Sequence, residues 1–285
     1  MKSTKLQILL VVGTVILTVG LALSPSQVNM KPNSNAPKST PAQAEAQVLN
    51  AEELLKSAKS ALTKEQLAQL DQLELGLKVN GEKDTAVLDQ IGRFWDRQGI
   101  PAASAVWFEK KSELQKTEKS YLDAAYRYFD SFKLAQDSGL KDLFVAKAIS
   151  NYTKVLDLNP NNLDAKTDLG ACYAEGTGEP MKGIMLLRDV VSKDPNHEMA
   201  QYNLGMLSVR SGQFDKAVER FKKVLEINPQ RTQLYYYLGQ IYLQEGDTSK
   251  ALESYKSFMK KSEDYEAVSQ VGQMVKELEK SSPAL

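Results

Sequence analysis

The 285-residue sequence has almost none of the residue types on which most catalytic and metal sites depend. It holds a single cysteine, Cys172, and a single histidine, His197. One cysteine forms no intramolecular disulfide, and a lone histidine without partners at ligand spacing makes no metal site. We interpret Cys172 as a small buried thiol, because no motif supplies the base that a nucleophile needs. We interpret His197 as a solvated loop residue, and we expect no enzyme, no cofactor and no metal.

The sequence also lacks an excess of positive charge. Lysine plus arginine and aspartate plus glutamate both number 36, so no basic patch for nucleic acid is indicated. The carboxylates are scattered beside lysines and arginines, as on solvated helix faces. No alternating strand pattern and no glycine-rich phosphate loop after a strand occurs, and the stretch GTGEP is predicted to be only a turn.

One long apolar run breaks this average composition. Residues 6–23, LQILLVVGTVILTVGLAL, carry no charge and span roughly 27 Å as a helix, close to the hydrocarbon thickness of a bilayer. Lys2 and Lys5 precede the run and favour a cytoplasmic amino terminus. We therefore predict a single-pass anchor, residues 1–23, in a bacterial inner membrane, with the C-terminal domain in the periplasm.

A cleaved signal segment is the alternative, which would release the protein into the periplasm. Its small-x-small sites fit poorly, because Ala22-Leu23-Ser24 is followed by Pro25, and Ala42-Gln43-Ala44 lies about twenty residues too far downstream. Residues 24–44 hold four prolines and no aromatic residue, which predicts a disordered linker.

Residues 45–82 are predicted to be an N-terminal helical segment. Thr63 with Gln66 makes a capping box, and Asn80-Gly81 ends the run. Its leucines recur at helical spacing, at Leu67, Leu70, Leu73 and Leu77. They favour either packing on neighbouring helices or a short self-association seam, which would make a homo-oligomer.

Residues 83–118 are predicted to be a degenerate helical hairpin with Pro101 in the first turn of its second helix. Phe94, Ala103 and Trp107 fall near the places expected for a repeat. A long aromatic helix over 118–137 follows, and Gly139 is expected to end it. The aromatic residues of the hairpin form a cluster that is read as core or, in a further hypothesis, as a ligand site: Phe94, Trp95, Trp107 and Phe108.

The C-terminal half repeats itself. Leu169-Gly170, Leu204-Gly205 and Leu238-Gly239 are 35 and 34 residues apart. The same period separates the prolines Pro160, Pro195 and Pro229, and it relates Ala217 to Ala251 and Leu187 to Phe221 and Tyr255. Several independent positions with one period predict a repeat architecture.

These residues resemble the pattern of the tetratricopeptide repeat family. The resemblance implies an all-α solenoid of helical hairpins that forms a right-handed superhelix, here behind an N-terminal transmembrane helix. We place the array at 119–263 and a capping helix and tail at 264–285. Gly205 and Gly239 are expected to let the second helix press on the first, while Phe221 and Tyr255 fill the space between hairpins.

The resemblance also implies a partner-binding groove lined by the first helix of each repeat. In the family register its residues are Met199, Tyr202, Asn203, Met206, Arg210, Gln233, Tyr236, Tyr237, Gln240 and Gln244, with Thr167, Asp168 and Ala171 from the preceding repeat. Tyrosines and methionines here either pack between hairpins or grip a peptide. Because basic groups are missing apart from Arg210, a neutral or apolar segment is favoured over an acidic tail.

We therefore expect a non-enzymatic scaffold that binds a protein or peptide on the extracytoplasmic side of the membrane and assists assembly of an envelope complex. By analogy with the family, cytochrome c maturation, cell division and secretion are the candidate processes. The alternative is a self-associating structural protein whose segment 45–79 makes the oligomer and whose repeats are a spacer.

Overall fold

The computed structural model describes residues 51–281, and every regular element among them is an α-helix. The predicted anchor or signal segment, the linker and the first residues of the N-terminal helical segment lie outside the described residues, as do the last four. Within the described part, no helix is both long enough and apolar enough to cross a bilayer. The chain divides into two compact units, which meet in sequence at Val190 and Val191.

The N-terminal unit consists of consecutive helices joined by short loops. Neighbours from α2 to α7 pack on one another in chain order, and α1 packs on α4. Short loops make such neighbours antiparallel. The helices are α1 (Ala51–Ser60), α2 (Lys64–Asn80), α3 (Thr85–Arg97), α4 (Pro101–Gln115), α5 (Glu118–Leu134), α6 (Ser138–Leu158), α7 (Leu163–Gly176) and α8 (Pro180–Lys193).

The C-terminal unit follows the same plan with five helices in its described part. They are α9 (Glu198–Arg210), α10 (Phe214–Ile227), α11 (Gln233–Gln244), α12 (Thr248–Lys261) and α13 (Tyr265–Ser281). Each packs on the next, and together they enclose one apolar core that includes Phe221, Tyr255 and Val271. Helices throughout, stacked as hairpins, confirm the predicted class. The right-handed superhelix over the whole chain stays a prediction.

Local sequence signals set several helix ends. The capping box of α2 is confirmed, because the Thr63 side chain accepts from the Gln66 amide while the Gln66 side chain accepts from the Thr63 amide. The N-terminal helical segment therefore contains two helices, since α1 ends at Ser60 and α2 begins at Lys64. The expected end of α5 at Gly139 is also wrong. Asp137 caps α6 by accepting from the Leu140 amide at 2.8 Å, so α6 begins at Ser138.

Hairpins close where a large side chain packs on a glycine. A Cβ atom added to Gly205 would lie 2.6 Å from Cε1 of Phe221, and one added to Gly239 would overlap the Tyr255 ring. Leu187 covers Gly170 in the same way, 2.9 Å from its would-be Cβ. The expected close approach of the two helices at the repeated glycines is confirmed. The large residue reaches across its own hairpin to do this.

The degenerate hairpin uses the same contact, shifted by one residue from the sequence expectation. Gly92 in α3 lies under the Phe108 ring, so Phe108 rather than Trp107 takes the position of Phe221. The small residue one turn earlier is then Ser104 rather than Ala103. Its hydroxyl donates to the Gly92 carbonyl oxygen at 2.9 Å, which satisfies the buried polar group.

Candidate functional site

Ten of the residues expected to line a groove lie on α9 and α11, and their exposure differs widely. Met199 is 39% exposed and Arg210 is also exposed, at opposite ends of α9. Tyr236 is 5% exposed and belongs to the core. Six others are half-buried: Tyr202, Asn203, Met206, Gln233, Tyr237 and Gln240. Gln244, at the end of α11, is exposed.

The structure brings Tyr202 and Tyr237 together through the ring of Phe221. The ring centroids lie 6.4 Å from Phe221 to Tyr202 and 6.0 Å from Phe221 to Tyr237. Burial raises the pKa of Tyr237 to about 12, and the neighbouring Tyr202 and Tyr236 add to the shift. The Tyr237 hydroxyl is therefore neutral at physiological pH. Aromatic pairs at this separation give a rigid surface with a polar edge.

Tyr236 points into the core rather than into the surface shared by Tyr202 and Tyr237. Its ring lies 5.9 Å from Tyr255 and 6.0 Å from Phe258, both on α12. Burial raises the pKa of its hydroxyl. Of the two roles considered for these tyrosines, Tyr236 therefore has the packing role and not the peptide-binding one. Replacing Tyr236 by alanine would open a cavity and destabilise the unit, so it is not a clean probe of binding.

Gln240 carries an amide nitrogen that is buried and donates to no other described residue. Burial raises the pKa values of Tyr236 and Tyr255. The nearby Gln240 amide opposes this change, but both pKa values stay raised. The amide is therefore close to both hydroxyls but not aligned to hydrogen-bond with either. A buried donor left without an acceptor is costly, so this amide lowers the stability of the unit.

Arg231 belongs to this surface although the sequence analysis missed it. Its guanidinium lies 5.9 Å from the Tyr202 ring centroid, and its Nε donates to Glu198 at 2.5 Å. Asn228 also donates to Glu198, at 3.0 Å. Burial tends to raise the pKa of Glu198, but these two bonds lower it overall. Arg231 lies in the loop after Pro229, where a register based on helices gives no signal.

The hydrogen bond from Asn228 to Glu198 has a counterpart in the N-terminal unit. Glu118, in the first turn of α5, accepts from Asn159 at 3.1 Å and from Asn162 at 2.6 Å. In both cases an Asn-Pro dipeptide ends the second helix of a hairpin and its asparagine binds the first glutamate of the first helix. An Asn-Pro dipeptide that follows a glutamate by about thirty to forty residues is therefore the sequence signal that predicts this hydrogen bond.

The other predicted positions in the N-terminal unit are largely internal. Thr167 is buried and its hydroxyl donates to the Leu163 carbonyl at 2.8 Å, while Ala171 is 5% exposed. Asp168 is half-buried, and its charge raises the pKa of Tyr152, for which burial is the larger cause. Only Asp168 of these three presents a side chain to a surface.

The aromatic cluster around α3 and α4 is mostly core. Phe94, Trp95 and Phe108 are at most 1% exposed, and Trp107 is 6% exposed. Trp107 also lines a cavity of about 710 Å³ whose apolar wall is completed by residues of α1, α2, α3 and α4: Leu55, Leu77, Leu88 and Leu114.

A second cavity, of about 510 Å³, lies in the C-terminal unit between α10, α11 and α12. Its apolar part is formed by Leu225, Leu238 and Tyr242, and lysines and glutamates of both signs surround it. Leu238 and Tyr242 lie on the face of α11 opposite Tyr237 and Gln240, given 3.6 residues per turn. The cavity is therefore distinct from the predicted groove.

The two residues singled out for reactive chemistry have structural roles. Cys172 is buried as predicted, and burial, followed by Asp168 and Glu175, raises the pKa of its thiol well above the ordinary value. His197 is not a solvated loop residue, because it is half-buried and its Nδ1 accepts from the Ala200 amide at 3.3 Å as the cap of α9. Across residues 51–281, no group of three metal-ligating side chains is placed to hold an ion.

These features define a helical-hairpin repeat protein. The surface of its helices α9 and α11 carries tyrosine rings and side-chain amides. Residues 208–269 match the family model described as tetratricopeptide repeat. A search of curated proteins finds no match. The match runs from the end of α9 into α13, so this part of the chain is similar in sequence to that family.

Solved structures show the same fold. A tetratricopeptide repeat protein from Parabacteroides merdae ATCC 43184 is 16% identical with a TM-score of 0.57, covering 82% of this chain and 88% of that one. PilW, described as a widely conserved type IV pilus biogenesis factor, is 19% identical with a TM-score of 0.52, covering 70% and 92%. MamA from Desulfovibrio magneticus RS-1 is 20% identical with a TM-score of 0.50, covering 63% and 95%. These likenesses concern the fold, and none indicates an enzyme.

Proposed function

We propose that the protein is a non-enzymatic scaffold whose C-terminal unit binds a neutral or apolar peptide segment on the surface of α9 and α11. The observation that carries this proposal is the pairing of Tyr202 and Tyr237 around Phe221. Two neutral rings there adjoin the amides of Asn203 and Gln240. Rings supply apolar contact, and amides supply hydrogen bonds to a peptide backbone.

The charge of this surface supports the choice of ligand. Arg210 is at the far end of α9, and Arg231 is already engaged by Glu198 at 2.5 Å. An acidic tail would need several uncommitted cations, since each charge removed from water must be compensated. A neutral segment meets no such requirement.

We expect peptides selected from a random library on the full-chain protein in detergent to be apolar and free of acidic clusters. Introducing two carboxylates, with Asn203→Glu and Gln233→Glu, should raise the Kd of the selected peptides at least about tenfold, or roughly 1.4 kcal/mol. Both side chains are half-buried and polar, so the fold should tolerate the change. Titration by fluorescence anisotropy measures the Kd.

Ser257→Glu is the matched control, because Ser257 lines the separate cavity between α10, α11 and α12. It should leave the Kd unchanged. If Ser257→Glu weakens binding and the double variant does not, the ligand occupies the cavity and the proposed groove is wrong. Selection of acidic peptides would likewise contradict the proposed ligand class.

We further propose that residues 6–23 anchor the chain and that both units lie on the extracytoplasmic side, where the scaffold would assist assembly of an envelope complex. The support is the uncharged run itself and the lysines that precede it. Signal cleavage with release into the periplasm is the alternative. The particular process rests on analogy with the family alone.

A cysteine at position 265 tests this topology. Tyr265 is 89% exposed, and Cys172 is buried, so Tyr265→Cys with Cys172→Ser gives one accessible thiol. We expect a membrane-impermeant maleimide to label it in intact spheroplasts and the labelled chain to retain its full mass. Labelling only after lysis would place the units in the cytoplasm. A labelled but shortened chain would show that the segment is cleaved.

A further inference from the structure

Helix α2 is apolar on two faces, and only one of them is covered. Leu70 and Leu77 are buried in the core that also holds Ile91 and Trp95 of α3. The leucines read from the sequence as a self-association seam are therefore largely internal. On the other side of α2, Leu75 is 61% exposed and Val79 is 76% exposed, with Leu67 at 37% beside them. Ala68 is exposed on the same face.

Helices α3 and α13 are polar along most of their solvent-facing sides, whereas Met181 and Met185 of α8 are 62% and 68% exposed. The exposed residues of α3 include Gln90, Arg93 and Arg97. The exposed residues of α13, the last helix of the C-terminal unit, include Gln273, Lys276 and Glu277. A repeat protein needs such a polar face on any helix that ends a stack in water. A helix that is apolar on both faces is instead one that is covered on both.

The charges beside Leu75 indicate what covers it. Asp71 lies four residues before Leu75 and Lys78 lies three residues after it, on the same side of the helix. Both are exposed, and neither forms an ion pair within the described part of the chain. Two antiparallel copies of α2 that meet at Leu75 bring Asp71 of each beside Lys78 of the other. Parallel copies would place like charges together.

We propose that the outer face of α2 is a self-association surface at which two copies of the chain pair as antiparallel helices about a two-fold axis at Leu75. In this dimer, Leu75 contacts Leu75 of the second copy, and Val79 and Ala68 extend the contact along the helix. Asp71 and Lys78 form two ion pairs between the copies. This inference does not depend on the peptide groove. Seventeen residues of helix are about 25 Å long, which makes a small interface and a weak dimer.

Disulfide trapping in the full-chain protein in detergent suits a weak dimer. We expect Leu75→Cys with Cys172→Ser to give a covalent dimer on mild oxidation, because a residue on the two-fold axis meets its own copy. Tyr265→Cys in the same background is the control for random collision, since it is exposed but lies in the C-terminal unit. It should form at least about fivefold less dimer.

A charge exchange tests the direction of the helices. In the Leu75→Cys background, Asp71→Lys alone and Lys78→Asp alone should each reduce the dimer at least about fivefold, and the two together should restore it. Restoration shows that the loss in the single variants comes from the charge contact between the two copies. Equal trapping at positions 75 and 265, or single exchanges without effect, would overturn the proposal. A thiol at position 75 that stays monomeric and resists maleimide would also overturn it, since something else then covers the face.

Discussion

Replacing Gly205 by leucine is expected to cost the C-terminal unit about 3 kcal/mol or more of folding free energy. A Cβ atom on Gly205 falls 2.6 Å from Cε1 and 2.8 Å from Cδ1 of Phe221. The Phe221 ring is fully buried between Tyr202 and Tyr237, so it has no room to move away. Overpacking of this kind costs about 1–3 kcal/mol and sometimes more. Chemical denaturation followed by circular dichroism measures the loss.

Gly272→Ala is the matched control in the same unit. Its Cβ would lie 3.3 Å from Cε of Met259, the flexible end of a side chain, and alanine favours a helix over glycine by about 1 kcal/mol. We expect this variant to be as stable as the parent or more so. In a milder variant, Gly205→Ala, Phe221→Leu should recover part of the loss, because it removes the ring atoms that the new Cβ would meet. A Gly205→Leu protein with unchanged stability would mean that α9 and α10 do not meet there.

Replacing Lys111 by methionine is expected to destabilise the N-terminal unit by about 2 kcal/mol at neutral pH. Lys111 is 8% exposed and binds Asp89 of α3, while Asp123 of α5 lies 3.8 Å from its Nζ. Removing one partner of a buried pair leaves charge without compensation, which costs about 3–5 kcal/mol when burial is complete. Both aspartates are partly exposed and keep arginine partners, so the lower figure applies.

The loss should depend on pH in a defined direction. Burial tends to raise the pKa of Asp89, but hydrogen bonds from Lys111 and Arg93 lower it below its ordinary value. A lowered carboxyl pKa contributes stability above the ordinary value, and that stability disappears as the pH falls through the folded-state pKa. Without Lys111 the pKa rises, so the difference between variant and parent is largest at neutral pH and shrinks below about pH 4.

Lys119→Met is the control for surface charge. Lys119 binds the same Asp123 at 3.3 Å, but its side chain is 77% exposed, so its removal should cost less than about 0.5 kcal/mol. Both tryptophans, Trp95 and Trp107, lie in the N-terminal unit, so tryptophan fluorescence reports on that unit. Equal losses for Lys111→Met and Lys119→Met would show that the buried network does not form.

The candidate site was only partly predictable. The family register placed Tyr202 and Tyr237 on one surface because it assigns both positions to the inner side of the first helix of a repeat. It also placed Tyr236 there, yet Tyr236 turns toward Phe258, since a ring at that angle fills the space over α12. Arg231 was missed, because a loop residue has no position in a helical register.

In the degenerate hairpin, matching residue types to the repeat pattern was not enough to predict the close contact between the two helices. The repeat pattern has alanine at the close contact and therefore predicts Ala103, but Ser104 lies there in the structure. Its hydroxyl finds the carbonyl of Gly92 and makes a small polar residue acceptable there. The sequence shows that serine is small but not that an acceptor lies opposite it.

What the sequence by itself determined is the class of fold, through features that are local or periodic. The cap at Thr63, the repeated glycines and the recurrent large residues act over one turn or one repeat, so their consequences can be read along the chain. What only the tertiary structure decided is which face of each helix is covered. That choice placed Leu70 and Leu77 inside and left Leu75 and Val79 outside. It depends on neighbours distant in sequence, because burial is a property of the packed whole and not of a segment.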